Sequence, residues 1–219
     1  MLRVPGREPV KSRLHAALGP AAATLLYRCF ALDTLEAAAR VPGVEAIAAF
    51  SPAAAGSGMA GLAPGMRRLA QHGNDLGARM ANLVTDLFAA GHAAALVTGS
   101  DLPTLPAGRF AEAARVLTGG RADVVLGPTE DGGYYLIGLA RPAPALFADM
   151  RWSAPDVLAV TCERAQRLRL RVHRLPPWYD VDTAADLVRL RDDLASAAGL
   201  PAAGAVAWRT RRWLAAFPG

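Results

Sequence analysis

The feature that most narrows the fold is an alternation. Short apolar runs without helical period are separated by longer, alanine-rich segments whose apolar residues recur at helical spacing. Strands of a mostly parallel sheet read as continuous apolar runs, and the crossovers between them are helices. The expected strands are Val44 to Phe50, Ala93 to Thr98, Ala122 to Leu126, Tyr134 to Leu139 and Leu170 to Leu175. Helices are expected over Pro20 to Ala39, ending before Pro42, over Leu76 to Ala90, closed by Gly91, and over Pro106 to Leu117. Ser153 is expected to cap a fourth that runs to about Leu168. Thr183, at capping-box spacing from Asp186, opens a fifth that reaches about Ala197. Because so little precedes the first loop, Met1 to Val4 reads as a clipped first strand, or the start lies upstream.

Glycine-rich Ala53 to Pro64 has no apolar period and is expected to be a loop. Residues 1–197 read as one domain, followed by a linker from Ala198 to Ala205 and a short terminal helix from Val206 to Phe217. That helix carries Trp208, Trp213 and several arginines, among them Arg209, Arg211 and Arg212. Packing of the tryptophans on the body is favoured over a membrane-surface or partner helix.

Of the 219 residues, 53% are hydrophobic, which excludes a disordered chain, and 48 are alanine, so the larger side chains must carry the core. A chain of this length buries roughly 70% of its unfolded surface and needs no disulfide or metal staple. Cys29 and Cys162 lie far apart in no metal-binding spacing and are expected to be reduced, buried thiols. No signal-peptide apolar run opens the chain and no stretch approaches 18 uncharged apolar residues, so the expectation is a cytoplasmic protein without stable membrane insertion. The 24 basic residues exceed the 19 acidic by five, and Lys11 is the single lysine among them. The arginines are scattered and not interleaved with aromatics, which argues against a nucleic-acid partner and suits phosphorylated small molecules.

Four polar islands follow expected strands or open expected helices, where an open α/β sheet places its ligand. In Pro5 to Leu14, Lys11 and Arg13 can pair with phosphate oxygens; a solvated basic loop is the alternative. In Gln71 to Arg79, Gln71 suits a base edge and Gly73 and Gly77 permit close backbone approach, while capping by Asn74 or Asp75 needs no ligand; His72 reads as a surface residue. In Leu96 to Pro103, Asp101 at a strand end can hold a hard divalent cation or stabilise a turn. The last island joins Leu126 to Tyr135, where Asp131, Gly132 and Gly133 suit a hairpin turn, with Trp178 to Thr183. There Asp180 and Asp182 alternate about Val181 and so share one side of an extended segment. Asp101, Asp131, Asp180 and Asp182 are expected to gather with Lys11 and Arg13 at one sheet edge.

Taken together, PVKSRL, QHGNDLGARM, LVTGSDLP, VVLGPTEDGGYYLIGL, RWSAPDVLAVT and WYDVDTAADL resemble a bacterial glycosyltransferase family with a GT-A-type fold, the DUF2064 family. That family is related to molybdenum-cofactor guanylyltransferases and other nucleotide-diphospho-sugar transferases. The resemblance spans about Pro5 to Leu194. It implies a GT-A-like three-layer α/β sandwich with a mostly parallel central sheet, occupying residues 1–197. It also implies a Mg or Mn ion held by Asp101 and Asp182 that bridges a diphosphate. Lys11, Ser12, Arg13 and Leu14 match the family's phosphate loop in kind. Glu8 stands where that loop has a glycine, so Gly6 would have to make the turn.

The expected activity is metal-dependent transfer of a sugar from a nucleotide donor to an unknown small acceptor. Lys11 and Arg13 would serve the phosphates, and Gln71, Gly73, Gly77, Gly132 and Gly133 the rest of the nucleotide. Asp131 would bind the acceptor or take its proton. Nucleotidyl transfer with release of pyrophosphate, and a catalytically weak nucleotide-binding protein, are the alternatives.

Overall fold

The apolar runs form two sheets in a computed structural model that describes residues 1–59, 62, 65–196 and 206–217. In chain order the strands are β1 (Leu2–Arg3), β2 (Ile47–Ser51), β3 (Arg67–Ala70), β4 (Ala95–Thr98), β5 (Val124–Pro128), β6 (Tyr134–Leu139) and β7 (Val172–Arg174). The helices are α1 (His15–Leu18), α2 (Pro20–Ala39), α3 (Leu76–Ala89), α4 (Ala107–Thr118), α5 (Val157–Arg167), α6 (Ala184–Ser196) and α7 (Trp208–Ala216). The chain divides into two compact units, the first built from Met1–Ala70, Ser100–Ala107 and Asp180–Gly219, the second from Gln71–Gly99 and Gly108–Tyr179.

The first unit carries an all-parallel sheet in the order β1-β2-β3. Parallel neighbours need a long crossover. Between β1 and β2 it consists of a 3-10 turn over Ser12–Leu14, α1 and the twenty-residue α2, which starts with Pro20 in its first turn. Leu2, Val4, Ala48, Phe50, Ala55, Met59 and Leu62 form one buried cluster here. β3 was not anticipated from the sequence. It is a four-residue edge strand whose Arg67 and Arg68 are exposed, so it has no apolar signature and exists through its pairing with β2.

α7 packs on α2. The side chain of Asp33, 1% exposed, accepts hydrogen bonds from the backbone N–H groups of Arg209 and Thr210 and from the Arg209 guanidinium. Glu36 accepts from the Trp208 indole and pairs with Arg209. The terminal helix therefore docks on the body, but not as expected. Thr210 and Leu214 are its buried side chains, while Trp208 is exposed and Trp213 stacks on Phe217.

The second unit holds β4-β6-β5-β7, with β6 antiparallel to both neighbours and β7 parallel to β5. Three of the five strand pairings in the two sheets are thus parallel, and the fold is α/β with mostly parallel pairing. Val124, Val125, Leu126, Leu136, Ile137 and Leu139 are fully buried, as near-continuous apolar strands require.

Several local expectations need correction. Ser153 does not cap α5: its φ is +75°, and the helix begins after Asp156. Ala53–Met59, expected to be irregular, is 3-10 helix interrupted at Ala55, because Ala55 and Met59 enter the core. Cys29 and Cys162 are free thiols, as expected, but half-buried and not enclosed. Residues 60, 61, 63 and 64 of the expected loop, and the linker over 198–205, lie outside the described residues. No helix among the described residues is long and apolar enough to cross a membrane.

Candidate functional site

The chemistry of the first unit centres on Lys11. The loop after β1 turns at Gly6, whose φ of +79° suits glycine, and Arg7 N–H closes the turn onto the Val4 carbonyl. Glu8 stays near Arg3, 3.9 Å from its guanidinium, while the positive-φ turn of the loop falls at Gly6. Val10 and Leu14 are buried and pin the loop on either side of Lys11. Lys11 itself has φ 50° and ψ 43°, a left-handed conformation uncommon outside glycine. Backbone held in that region is found where surrounding structure over-determines it, often at binding sites.

The Lys11 ammonium donates to Asp101 Oδ2 at 2.6 Å and to Asp182 Oδ1 at 2.5 Å, and its side chain is only 4% exposed. Residues 90 and 171 positions away in sequence thus meet on one amine. Asp101 sits at the start of a segment anchored by buried Leu102 and Leu105. Val181 is fully buried and its N–H donates to the Asp101 carbonyl at 3.1 Å. With Val181 turned inward, the alternation of an extended segment brings Asp180 and Asp182 out on the other side. Beyond them the capping box forms: Thr183 N–H and hydroxyl donate to Asp186 Oδ2, and Asp186 N–H donates back to Thr183 Oγ1 at 3.3 Å. The segment carrying Asp182 is therefore fixed to the start of α6.

Asp101, Asp180 and Asp182 each offer a carboxylate oxygen, and these atoms lie within 4.8 Å of one another. Burial, and then the charges of Asp101 and Asp182, push the Asp180 carboxyl up to about 7. Burial works against the charge on Lys11, but the two carboxylates outweigh it and hold the ammonium above its ordinary value. An all-oxygen donor set of this kind suits a hard divalent cation, and the lysine ammonium shows that the cluster already favours positive charge. The residues fit the Mg or Mn ion that the resemblance implies.

Tyr27, which sequence reasoning missed, supports this cluster. Its hydroxyl accepts from Arg3 N–H at 2.9 Å and meets Ser100 Oγ at 2.8 Å, next to Asp101. Tyr27 lies among the buried residues of α2, and nothing in the helical period separates it from a packing residue. Arg13 is exposed on the 3-10 turn.

The remaining expected residues belong to the second unit. Asp75 caps α3 by accepting from Ala78 N–H. His72 is a surface residue, as expected, paired with Asp86 and Asn82. Gln71 is half-buried just before α3. The close approach anticipated at two glycines is taken up by the protein itself: a Cβ on Gly73 would meet the Ala78 backbone at 2.8 Å, and one on Gly77 the Phe147 carbonyl at 2.5 Å. Asp131 forms the turn between β5 and β6, accepting from the Thr129 hydroxyl at 2.5 Å and from Gly133 N–H at 3.1 Å. Gly132 has φ +87°, and a Cβ there would stand 1.9 Å from the Pro155 carbonyl, which lets this turn seat against the segment leading to α5.

Comparison with known proteins bears on the whole chain. The family described as "Uncharacterized protein conserved in bacteria (DUF2064)" matches residues 34–154. A crystal structure of a "putative nucleotide-diphospho-sugar transferase" from Desulfovibrio desulfuricans G20 is similar at 32% identity and a TM-score of 0.85, over 98% of this chain and 93% of that one. The chain belongs to the DUF2064 family. The DUF2064 match includes Asp101 and Asp131, whereas Lys11, Asp180 and Asp182 lie outside it. Two further structures share the fold at 12% identity. One is a CMP:2-keto-3-deoxy-manno-octonic acid synthetase complexed with CTP, with a TM-score of 0.54 over 76% of this chain and 88% of that one. The other is a cytidylyltransferase from Leptospira borgpetersenii serovar Hardjo-bovis (strain JB197), with a TM-score of 0.56 over 99% of this chain and 92% of that one. No curated protein matches by sequence.

Proposed function

We propose that this DUF2064 protein is a transferase of the nucleotidyl or glycosyl kind, and within that class a glycosyltransferase. It would move a sugar from a nucleotide-diphospho-sugar to a small acceptor, with Mg or Mn held by Asp101 and Asp182. The observation that carries the reading is the group of three carboxylates gathered with the buried Lys11 ammonium in one unit. The likeness to the Desulfovibrio protein over nearly the full chain supports the class of donor. The chemistry such an ion supplies when bound is neutralisation of charge on the departing nucleoside diphosphate.

The roles of the chain's own residues follow from their chemistry. Lys11, joined by Arg13, gives phosphate oxygens a positive partner. In sugar transfer an acceptor hydroxyl gives its proton to a general base as the new glycosidic bond forms, and the bond to the phosphate oxygen breaks with its electron pair leaving on the nucleoside diphosphate. The cytoplasm is the proposed setting, consistent with two free thiols.

Titration calorimetry with a panel of nucleoside diphosphates and Mn tests the scheme. Wild type should bind at least one, and Asp101→Ala should lose that binding; unchanged affinity would remove Asp101 from the site. The fold shared with a cytidylyltransferase and with a CTP-bound synthetase favours nucleotidyl transfer as the second reading. Products separate the two, since sugar transfer releases a nucleoside diphosphate and nucleotidyl transfer releases pyrophosphate.

A further inference from the structure

The carboxylates proposed to hold a divalent cation are not idle in this structure. Lys11 donates to Asp101 and to Asp182 at once, at 2.6 and 2.5 Å. The ammonium is the enclosed member of the group, 4% exposed against 27% for Asp101 and 40% for Asp182. The left-handed backbone at Lys11 and the buried Val10 and Leu14 beside it aim the side chain at the two carboxylates.

A positive charge this close lowers the attraction that the same carboxylates exert on any second cation, most strongly where water is excluded. An ammonium also needs anionic partners once buried, so it cannot give up both carboxylates unless another anion replaces them. A diphosphate is such an anion.

From this we infer that Lys11 couples the two ligands of the site: its ammonium competes with a divalent cation for Asp101 and Asp182, and the diphosphate relieves the competition by offering Lys11 other oxygens. The inference rests on the cation reading given under Proposed function and adds an order to it. The cation binds weakly alone and tightly with a nucleotide, and by linkage the nucleotide binds tightly only with the cation. Lys11 is thus a positioning residue for the cation as well as a partner of the phosphates, and its removal has opposite effects on the two ligands.

The test uses the full chain and Mn alone, followed by the free-Mn electron paramagnetic resonance signal. Lys11→Met keeps the length of the side chain and removes its charge. It should bind Mn about tenfold or more tightly than wild type without nucleotide. A nucleoside diphosphate, tried as ADP, GDP, CDP and UDP in turn, should tighten Mn binding in wild type and much less in the variant. Equal or weaker Mn affinity in a folded Lys11→Met protein overturns the inference.

A second measurement needs no variant. Lys11 is the single lysine of the sequence, so 13C,15N-lysine labelling yields one side-chain ammonium signal in the wild-type protein. Mg alone, at concentrations where calorimetry shows it bound, should shift that signal. Bound Mg with an unmoved Lys11 signal overturns the competition while leaving the cation site standing. Failure of both proteins to bind Mn or Mg overturns the cation reading and the inference with it.

Discussion

At the residue scale, the Lys11 cluster depends on side chains that perform no chemistry. Tyr27 is the clearest case: one buried hydroxyl satisfies the Arg3 N–H at the end of β1 and the Ser100 hydroxyl beside Asp101. Buried polar groups are costly when left unpaired, more costly than a hydrogen bond is favourable. Tyr27→Phe should therefore destabilise the protein by about 1–3 kcal/mol, measured by urea unfolding. A loss near zero would show that the two groups find other partners. Lys11, Asp101 and Asp182 were legible as candidates because each has polar or glycine neighbours after an apolar run. Tyr27 was not, because a tyrosine on the buried face of a helix looks like any packing residue.

At the element scale, local rules succeeded where the competing forces were local. The span of α2 and the reciprocal cap of α6 follow from residues within one turn of each other. Ser153 failed as a cap because the chain around it is committed elsewhere: Leu158 N–H donates to Gly132 and the preceding turn packs on that glycine.

The docking of α7 on α2 makes an acid-sensitive contact. Burial alone would raise the pKa of Glu36, but hydrogen bonds from Arg209 and Trp208, with the charges of Arg209 and Arg40, bring it below its ordinary value of 4.5. A depressed carboxylate stabilises the fold above its unfolded pKa, and that contribution fades as pH falls through the folded value. Glu36→Gln should thus be less stable than wild type at neutral pH, with the gap closing below about pH 4.5. Tryptophan-monitored urea melts at several pH values read this directly, and a gap independent of pH would assign the contact to packing and not to charge.

At the scale of the whole molecule, the candidate cluster is assembled from three chain segments of the first unit, carrying Lys11, Asp101, and Asp180 with Asp182. A ligand that binds only the folded arrangement stabilises it by mass action, by about 2.7 kcal/mol at a hundred times its dissociation constant. Saturating Mn with nucleotide should raise the melting temperature of the transition that includes this unit by roughly 5–10 °C. Asp101→Asn with Asp182→Asn should abolish the rise. Scanning calorimetry makes the comparison, and an equal rise in the double variant would put the ligand elsewhere.

What the sequence by itself determined was most of the elements and their class: apolar runs and helical periods are written within a few residues, and so are caps and turns whose partners are local. The polar islands were legible for the same reason, as was the family likeness they carry. Tertiary structure alone decided which of those islands meet. It joined Lys11 to carboxylates 90 and 171 positions away, made β3 a strand through its neighbour, and gave Tyr27 its support role. It also turned Gly73, Gly77 and Gly132 toward the protein's own backbone. Contacts between distant segments depend on pairing and register of whole elements, and a residue's near neighbours in sequence hold no record of either.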